Sequence, residues 1–255
     1  MSPSHLRSLR IFAEDQEIGA GCRISLEGEE RLALRPGFYL LRVLDLSATA
    51  AARLIPSARV EVRSEDSVLA SGTVTASRTH PEAGHSVTEA TLIPARALWT
   101  AAVSASFPAG MSLRETARRL LEASGVGLPL AGFTGTDRIL SRPQAYFGRL
   151  TDALSELAKA ADAEVCVTPG GILFAGRADR AAALILTEAD LLAAPEFTGD
   201  AWILRTSMIG WPPGARLRVR WRDTELEGRI LTRSVWADNG SGPWKTELLL
   251  RKEDA

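Results

Sequence analysis

The hydrophobic period of the sequence changes twice along its 255 residues. Up to about residue 100, apolar residues recur with a period of two. Between Ser112 and Ala161 they recur at helical spacing, and from about Ala201 the period of two returns. A strand buries one face and a helix one stripe, so each segment must find a packing partner of its own. The chain therefore reads as α+β and mostly β, with its helices in the middle.

The first segment contains "FYLLRVLDLS" (38–47), "ARVEVRS" (58–64), "VLASGTVTASRT" (68–79) and "SVTEATLI" (86–93), separated by Gly, Pro, Ser and Asp. "VEVRS" and "TVTAS" alternate as half-buried strands do. "THPEAGH" (79–85) reads as a loop between two of them, with Pro81 and Gly84 as its turn residues. Short strands in series with short loops fit an antiparallel barrel or a sandwich.

The middle segment opens on "SLRETARRLLEASG" (112–125). Ser112 and Glu115 have capping-box spacing, and Gly125 suits the left-handed position that ends a helix. A second helix is expected over "YFGRLTDALSELAKAA" (146–161), with Phe147, Leu150, Leu154, Leu157, Ala158 and Ala161 in one stripe. "EVCVTPGGILFAGR" (164–177) then reads as two apolar strands, with Gly170-Gly171 free to take positive φ at the turn. A lone hairpin is marginal in water, and the preceding helix is its nearest packing partner.

In the last segment, "AWILRTSMIG" (201–210), "ARLRVRWRD" (215–223), "LEGRILTRSVWA" (226–237) and "WKTELLLRK" (244–252) read as a second small barrel. Within it, "RLRVRWR" (216–222) puts Leu217, Val219 and Trp221 on one face and Arg216, Arg218, Arg220 and Arg222 on the other. The arginine face is the candidate interface. The competing reading is a barrel strand with a solvated outer side. Single-strand nucleic acid binders combine such a stripe with exposed aromatics. Here Trp221 alternates inward, and Glu225 and Glu227 dilute the charge.

The totals and motifs narrow the chemistry. Thirty basic residues face 31 acidic ones, for a net charge of -1, so no global field draws the chain to nucleic acid or an anionic membrane. Cys22 and Cys166 form no CxxC pair, which fits a reducing compartment. The N-terminal stretch lacks the apolar core of a signal peptide, and no apolar run reaches the ~20 residues of a spanning helix. His80, Glu82 and His85 follow H-x-E-x-x-H, not the helical H-E-x-x-H that sets two imidazoles on one face. There is no G-x-S-x-G elbow, no P-loop and no complete dinucleotide-binding glycine fingerprint. Cys166 lies in an apolar strand, and Glu29-Glu30, like Glu14, Asp15 and Glu17, lies in a polar stretch that reads as solvated. The expectation is no enzyme, no cofactor and no metal site.

Three stretches together resemble the baseplate hub family of contractile-tailed phages and related tail-like particles, the late control protein D family. "SLRETARRLLEASGVGL" resembles the helix that opens the family's middle insertion. "YFGRLTDALSELAKAADAEVCVTPGGILFAGR" resembles its helix-plus-hairpin signature. "IGWPPGARLRVRW", followed by "LEGRILTRSVWADNGSGPWKTELLL", resembles its C-terminal barrel. The resemblance implies two small antiparallel β-barrels flanking an inserted α+β domain, with limits at 1–103, 104–180 and 181–255. It implies a homotrimer whose barrels make a pseudo-sixfold ring that joins the tail tube to the central spike. Partners would be the tube, the spike and other baseplate or tape-measure proteins, with no membrane or nucleic acid. Such a protein is made in the bacterial cytoplasm and assembled into a tail or tail-like particle. Two other readings stand beside this one: a β-barrel binding module for carbohydrate or single-stranded nucleic acid, and a hydrolase built around His80, Glu82 and His85.

Overall fold

The computed structural model describes residues 7–56, 58–65, 67–176, 184–208 and 210–252. Strand accounts for 54% of it and helix for 15%, so the fold is α+β and mostly β. The first part holds β1 (Arg10–Ala13), β2 (Gln16–Ile18), β3 (Arg23–Arg31), β4 (Phe38–Leu44), the one-turn helix α1 (Ala48–Ala51), β5 (Arg59–Ser64), β6 (Ser67–Glu82) and β7 (His85–Ile93). The middle runs α2 (Arg96–Thr100), β8 (Ala102–Phe107), α3 (Leu113–Ser124), β9 (Leu130–Phe133), β10 (Gln144–Arg149), α4 (Leu150–Ala160), β11 (Ala163–Thr168) and β12 (Gly171–Gly176). The last part holds β13 (Leu184–Thr187), β14 (Glu196–Phe197), β15 (Ala201–Thr206), β16 (Arg216–Trp221), β17 (Thr224–Asp238) and β18 (Trp244–Lys252). Among the described residues, no helix is long and apolar enough to cross a membrane.

The first and last parts share one 13-stranded sheet. Its order is β14-β15-β18-β17-β3-β4-β7-β6-β5-β1-β2, with β16 on β17 and β13 on β16. The long strand β17 makes the join. Thr224 to Arg229 pair with β16, Thr232 to Asp238 pair with β3, and β18 runs along the opposite edge. The changeover falls at a bulge, where Leu231 has no partner in the ladder to β18. Its carbonyl instead accepts from the Leu32 N–H at 2.7 Å.

Neither expected barrel closes; the ladders run as an open path. The first seven strands curl around a core that includes Ile11, Leu41, Val60, Leu69 and Leu92. The curl is tight enough for Arg233 on β17 to reach the Leu69 carbonyl on β6 at 2.7 Å, although three strands separate them in the sheet order. The last part wraps a smaller core of Leu186, Leu204, Leu217, Val219, Ile230, Leu248 and Leu250. There the single bridge between Leu191 and Thr206 draws the β13 end toward β15. Closure needs every edge to meet another along its length. The outermost strands are too short to carry such a ladder: β2 has three residues and β14 two.

In the middle part, α3 and α4 pack with two small sheets, β8-β10 and β11-β12-β9, around Leu120, Leu150, Leu154, Leu157, Ile172 and Phe174. The α3 signals are partly realised. The Ser112 hydroxyl accepts from the Glu115 N–H at 3.2 Å and Gly125 ends the helix at φ 67°. The Glu115 carboxylate turns to Arg118 and Arg119 instead of back to the cap. The second helix starts at Leu150, four residues into the expected 146–161 segment. Gly148 sits at φ 103°, and Tyr146 to Arg149 extend along β8 as part of β10. Phe147 is consequently 71% exposed, while Leu150, Ala153, Leu154, Leu157 and Ala158 form the buried stripe. The β11–β12 hairpin turns on Pro169-Gly170, and of the two glycines only Gly171 has positive φ, 123°. A Cβ at Gly171 would lie 2.2 Å from the Pro129 carbonyl oxygen, so close strand approach also demands glycine here.

Residues 103 and 104 are consecutive within β8. The limit expected between 180 and 181 lies outside the described residues, as do Arg177 at the end of the hairpin segment and Ile209 in the 201–210 segment.

Candidate functional site

Alternation along β16 places its side chains largely as expected. Leu217 and Val219 are fully buried. Trp221 is not in that core. It closes the strand opposite Thr224, is half-buried, and carries the Arg222 guanidinium 5.5 Å from its ring centre. A period of two assigns a face but not a depth, and a residue at a hairpin end has core on one side only.

The opposite strand supplies countercharges to the arginines. Arg218 lies directly across from Glu227 and Arg220 from Glu225. Arg218 Nη2 is 2.9 Å from Glu227 Oε2 and its Nε is 2.9 Å from Glu225 Oε1. Arg216 also pairs with Glu227. The hydrogen bonds Arg218 donates to Glu227, then the charges of Glu227 and Glu225, raise the Arg218 pKa above its ordinary value. Such exposed pairs add little stability, but they neutralise the stripe locally. Arg220 is exposed, and among the described residues no carboxylate lies within ion-pair distance of it. Arg216 and Arg218 are thus paired, and two charges remain without a carboxylate partner among the described residues: Arg220 on the strand, and Arg222 in the turn beyond it at φ 51°, stacked on Trp221. β16 lies between β13 and β17, so it offers a face and not an edge.

The histidine group resolves into separate ion pairs. β6 and β7 continue to Glu82 and His85, leaving only Ala83 (φ 49°) and Gly84 (φ 86°) in the turn. Two positive φ values are what a type I′ hairpin requires, so "THPEAGH" is the tip of a long hairpin and not a loop. His80 Nε2 is 3.5 Å from Glu82 Oε2, and Arg42 holds that carboxylate at 2.8 Å. The Arg42 hydrogen bond, followed by its charge, lowers the Glu82 pKa. His85 turns away, with Nδ1 2.7 Å from Asp45 Oδ2. Among the described residues, no group of three or more His, Cys, Asp or Glu is placed to hold a metal ion. Alanine at His80, Glu82 and His85 together is expected to leave the melting temperature within about 2 °C of the parent. A fall of about 8 °C or more in thermal unfolding, or zinc retained by the parent and lost by the variant, would overturn this.

The functional-looking group that sequence reasoning missed is buried. Glu30 is 8% exposed and stands directly opposite Arg233, which is 2% exposed. Arg233 Nη2 lies 3.1 Å from Glu30 Oε2, 3.3 Å from the Tyr39 hydroxyl and 2.7 Å from the Leu69 carbonyl. The Tyr39 hydroxyl donates to Glu30. Burial, then the Glu30 charge, pushes the Tyr39 pKa well above its ordinary value, so the phenol stays a donor. Leu69 is a bulge residue: Val62 pairs with Ala70 and Arg63 with Val68. Its carbonyl has no place in that ladder and takes the guanidinium. The cluster ties β3, β4, β6 and β17 together from inside. Cys166 is fully buried, and burial pushes its thiol up to about 12, which makes it inert as a nucleophile. Glu14, Asp15 and Glu17 are exposed, as read.

The sequence matches no family model and no curated protein sequence. Solved structures match its fold at 8–11% identity. A tail protein from Neisseria meningitidis MC58 is similar over 96% of both chains, with a TM-score of 0.68 and 10% identity. The 43 kDa tail protein of prophage MuSo2 from Shewanella oneidensis is similar over 96% of this chain and 97% of its own, again with a TM-score of 0.68 and 10% identity. The E. coli c3393 protein, described as a type VI secretion system component with structural similarity to the T4 tail proteins gp27 and gp5, has a TM-score of 0.63 and 11% identity over 91% of this chain and 74% of its own. The chain therefore has the fold of these tail proteins.

Proposed function

We propose that this chain is a structural protein of a phage tail or tail-derived injection device, and that it acts there as a baseplate hub. In that role three copies join the tail tube to the central spike and contact other baseplate proteins. The observation that carries the reading is a fold shared with tail proteins over 96% of the chain. A second feature supports self-association. Leu184, Ile185, Leu192, Phe197 and Met208 are all large, apolar and 39–55% exposed. Leu184 and Ile185 lie on β13 and Phe197 on β14, which among the described residues pair only with β16 and β15, while Leu192 lies in the connection between them and Met208 just beyond β15. Apolar side chains along unpaired strand edges mark a contact surface. On this reading residues 1–103 and 181–255 build the ring and residues 104–180 lie outside it. The work is geometric, without catalysis, cofactor or metal, and the assembled particle is its destination.

Sedimentation tests the proposal, with the chain alone and mixed with the tail tube and spike proteins of the same device. A trimer under either condition is expected, and a strictly monomeric species under both would sink the hub reading. Arg220→Glu refines the test at the β16 face. It leaves the Arg216 and Arg218 pairs intact, so the melting temperature should stay within about 2 °C. Assembly should weaken, because the variant offers a carboxylate to whatever Arg220 contacts and adds one to Glu225. Assembly indistinguishable from the parent would show this face to be solvated only.

A further inference from the structure

A cleft of about 370 Å³ opens where the large sheet meets the α+β segment. One wall comes from the β3–β4 connection, the start of β5 and residues 71–73 of β6. The other comes from residues 94–99, from residues 126–129 before β9, and from the β11–β12 turn at 167–171. The ionisable groups in its walls are Arg31, Arg35, Arg59 and Arg96 against a single carboxylate, Glu30. Glu30 is already matched by Arg233. Arg31 and Arg59 make ion pairs with Glu29 and Glu61, which are not part of the walls. Arg35 and Arg96 are exposed, and among the described residues neither has an ion-pair partner. A chain of net charge -1 thus gathers four guanidinium groups around one concavity.

We propose that this cleft binds an extended, carboxylate-rich polypeptide segment of a partner protein, with Arg35 and Arg96 as its main anchors. Guanidinium forks grip carboxylates in two-point, charge-assisted contacts. Two unpaired forks in a concave site can each take one without breaking an existing pair. Trp99 also lines the cleft, and its indole N–H is satisfied by the Pro94 carbonyl at 2.8 Å. The ring packs partly against the core of the α+β part, and the portion that lines the cleft offers apolar surface for the aliphatic part of a bound Glu. The volume suits a few residues of extended chain and not a folded domain. Nucleic acid is the less favoured anion, because the arginines ring a bounded cleft and do not form a stripe that a phosphate backbone could follow. The inference stands whether or not the chain forms a ring.

Fluorescence anisotropy of the full chain tests it, with a fluorescein-labelled peptide of alternating Glu and Gly as the probe. Saturable binding that weakens with added salt is expected. Arg35→Glu with Arg96→Glu should weaken it at least tenfold. Arg138→Glu with Arg142→Glu makes the same charge change at exposed positions outside the cleft and should change it less than about twofold. If the first variant melts lower than the parent, Arg35→Gln with Arg96→Gln takes its place, with the same tenfold loss expected. Absence of saturable binding, or equal losses in the cleft and control variants, would overturn the proposal. Tighter binding of an oligothymidylate of equal charge, lost in the cleft variant, would overturn it in favour of a nucleic-acid site.

Discussion

Arg233→Ala is expected to lose about 3–5 kcal/mol of folding stability, read as a shift in the guanidinium denaturation midpoint. The guanidinium is the inner node of the curled sheet, within hydrogen-bonding reach of Glu30, Tyr39 and the bulge carbonyl of Leu69. Removing it leaves a buried carboxylate without its countercharge and a carbonyl without its donor. Each such orphan carries its own desolvation cost. Against a typical total of about 5–15 kcal/mol, that can unfold the chain at ordinary temperature. Glu30→Ala should cost a similar amount, for the mirror-image reason. Replacing both at once, Glu30→Leu with Arg233→Met, removes both charges and should recover most of the loss. A single-variant cost below about 1 kcal/mol would mean that water reaches the pair.

The same cluster shows what the sequence allowed and where reading it went astray. In β3, Ile24, Leu26, Gly28 and Glu30 all face inward. Extending the alternation from the two apolar residues places Glu30 inside. The run "EGEE" looked solvated only because four polar or small residues in a row hide the period. Arg233, Val235 and Ala237 give the matching signal on β17. The α4 boundary was likewise legible, since Gly148 interrupts a stripe that Phe147 would otherwise begin. Leu217 and Val219 could be assigned from alternation alone, whereas the depth of Trp221 depends on where the hairpin ends. Barrel closure was not legible. It depends on whether β2 and β14 are long enough to meet another edge, and strand length at a sheet border is set by packing. The arginine cleft was the least visible feature. Its walls join residues from 30 to 171 of the chain, and no local pattern connects Arg35 with Arg96.

Gly28→Ala is expected to destabilise the protein by about 1–3 kcal/mol through overpacking, against the direction of backbone propensity. Glycine inside a strand ordinarily weakens it, so alanine at an unconstrained position would help. Gly28 stands opposite Tyr39 in the β3–β4 ladder. A Cβ there would lie 2.1 Å from Tyr39 Cδ1 and 2.8 Å from the Phe38 carbonyl oxygen. A flexible side chain could swing away, but this ring is 1% exposed and its hydroxyl is held by Glu30 and Arg233. An aromatic ring lying across a strand glycine is a recurrent way to recover packing where a side chain is missing. Here it also aims the phenol at the ion pair. The added methyl must therefore move the ring, and moving the ring loosens the cluster. A double-mutant cycle with Tyr39→Ala separates this from a plain backbone effect. With the ring gone, Gly28→Ala should cost less than about 0.5 kcal/mol, giving a coupling of about 1 kcal/mol or more between the two positions. Additive costs would show that the clash is with the Phe38 carbonyl and that Tyr39 has room to yield.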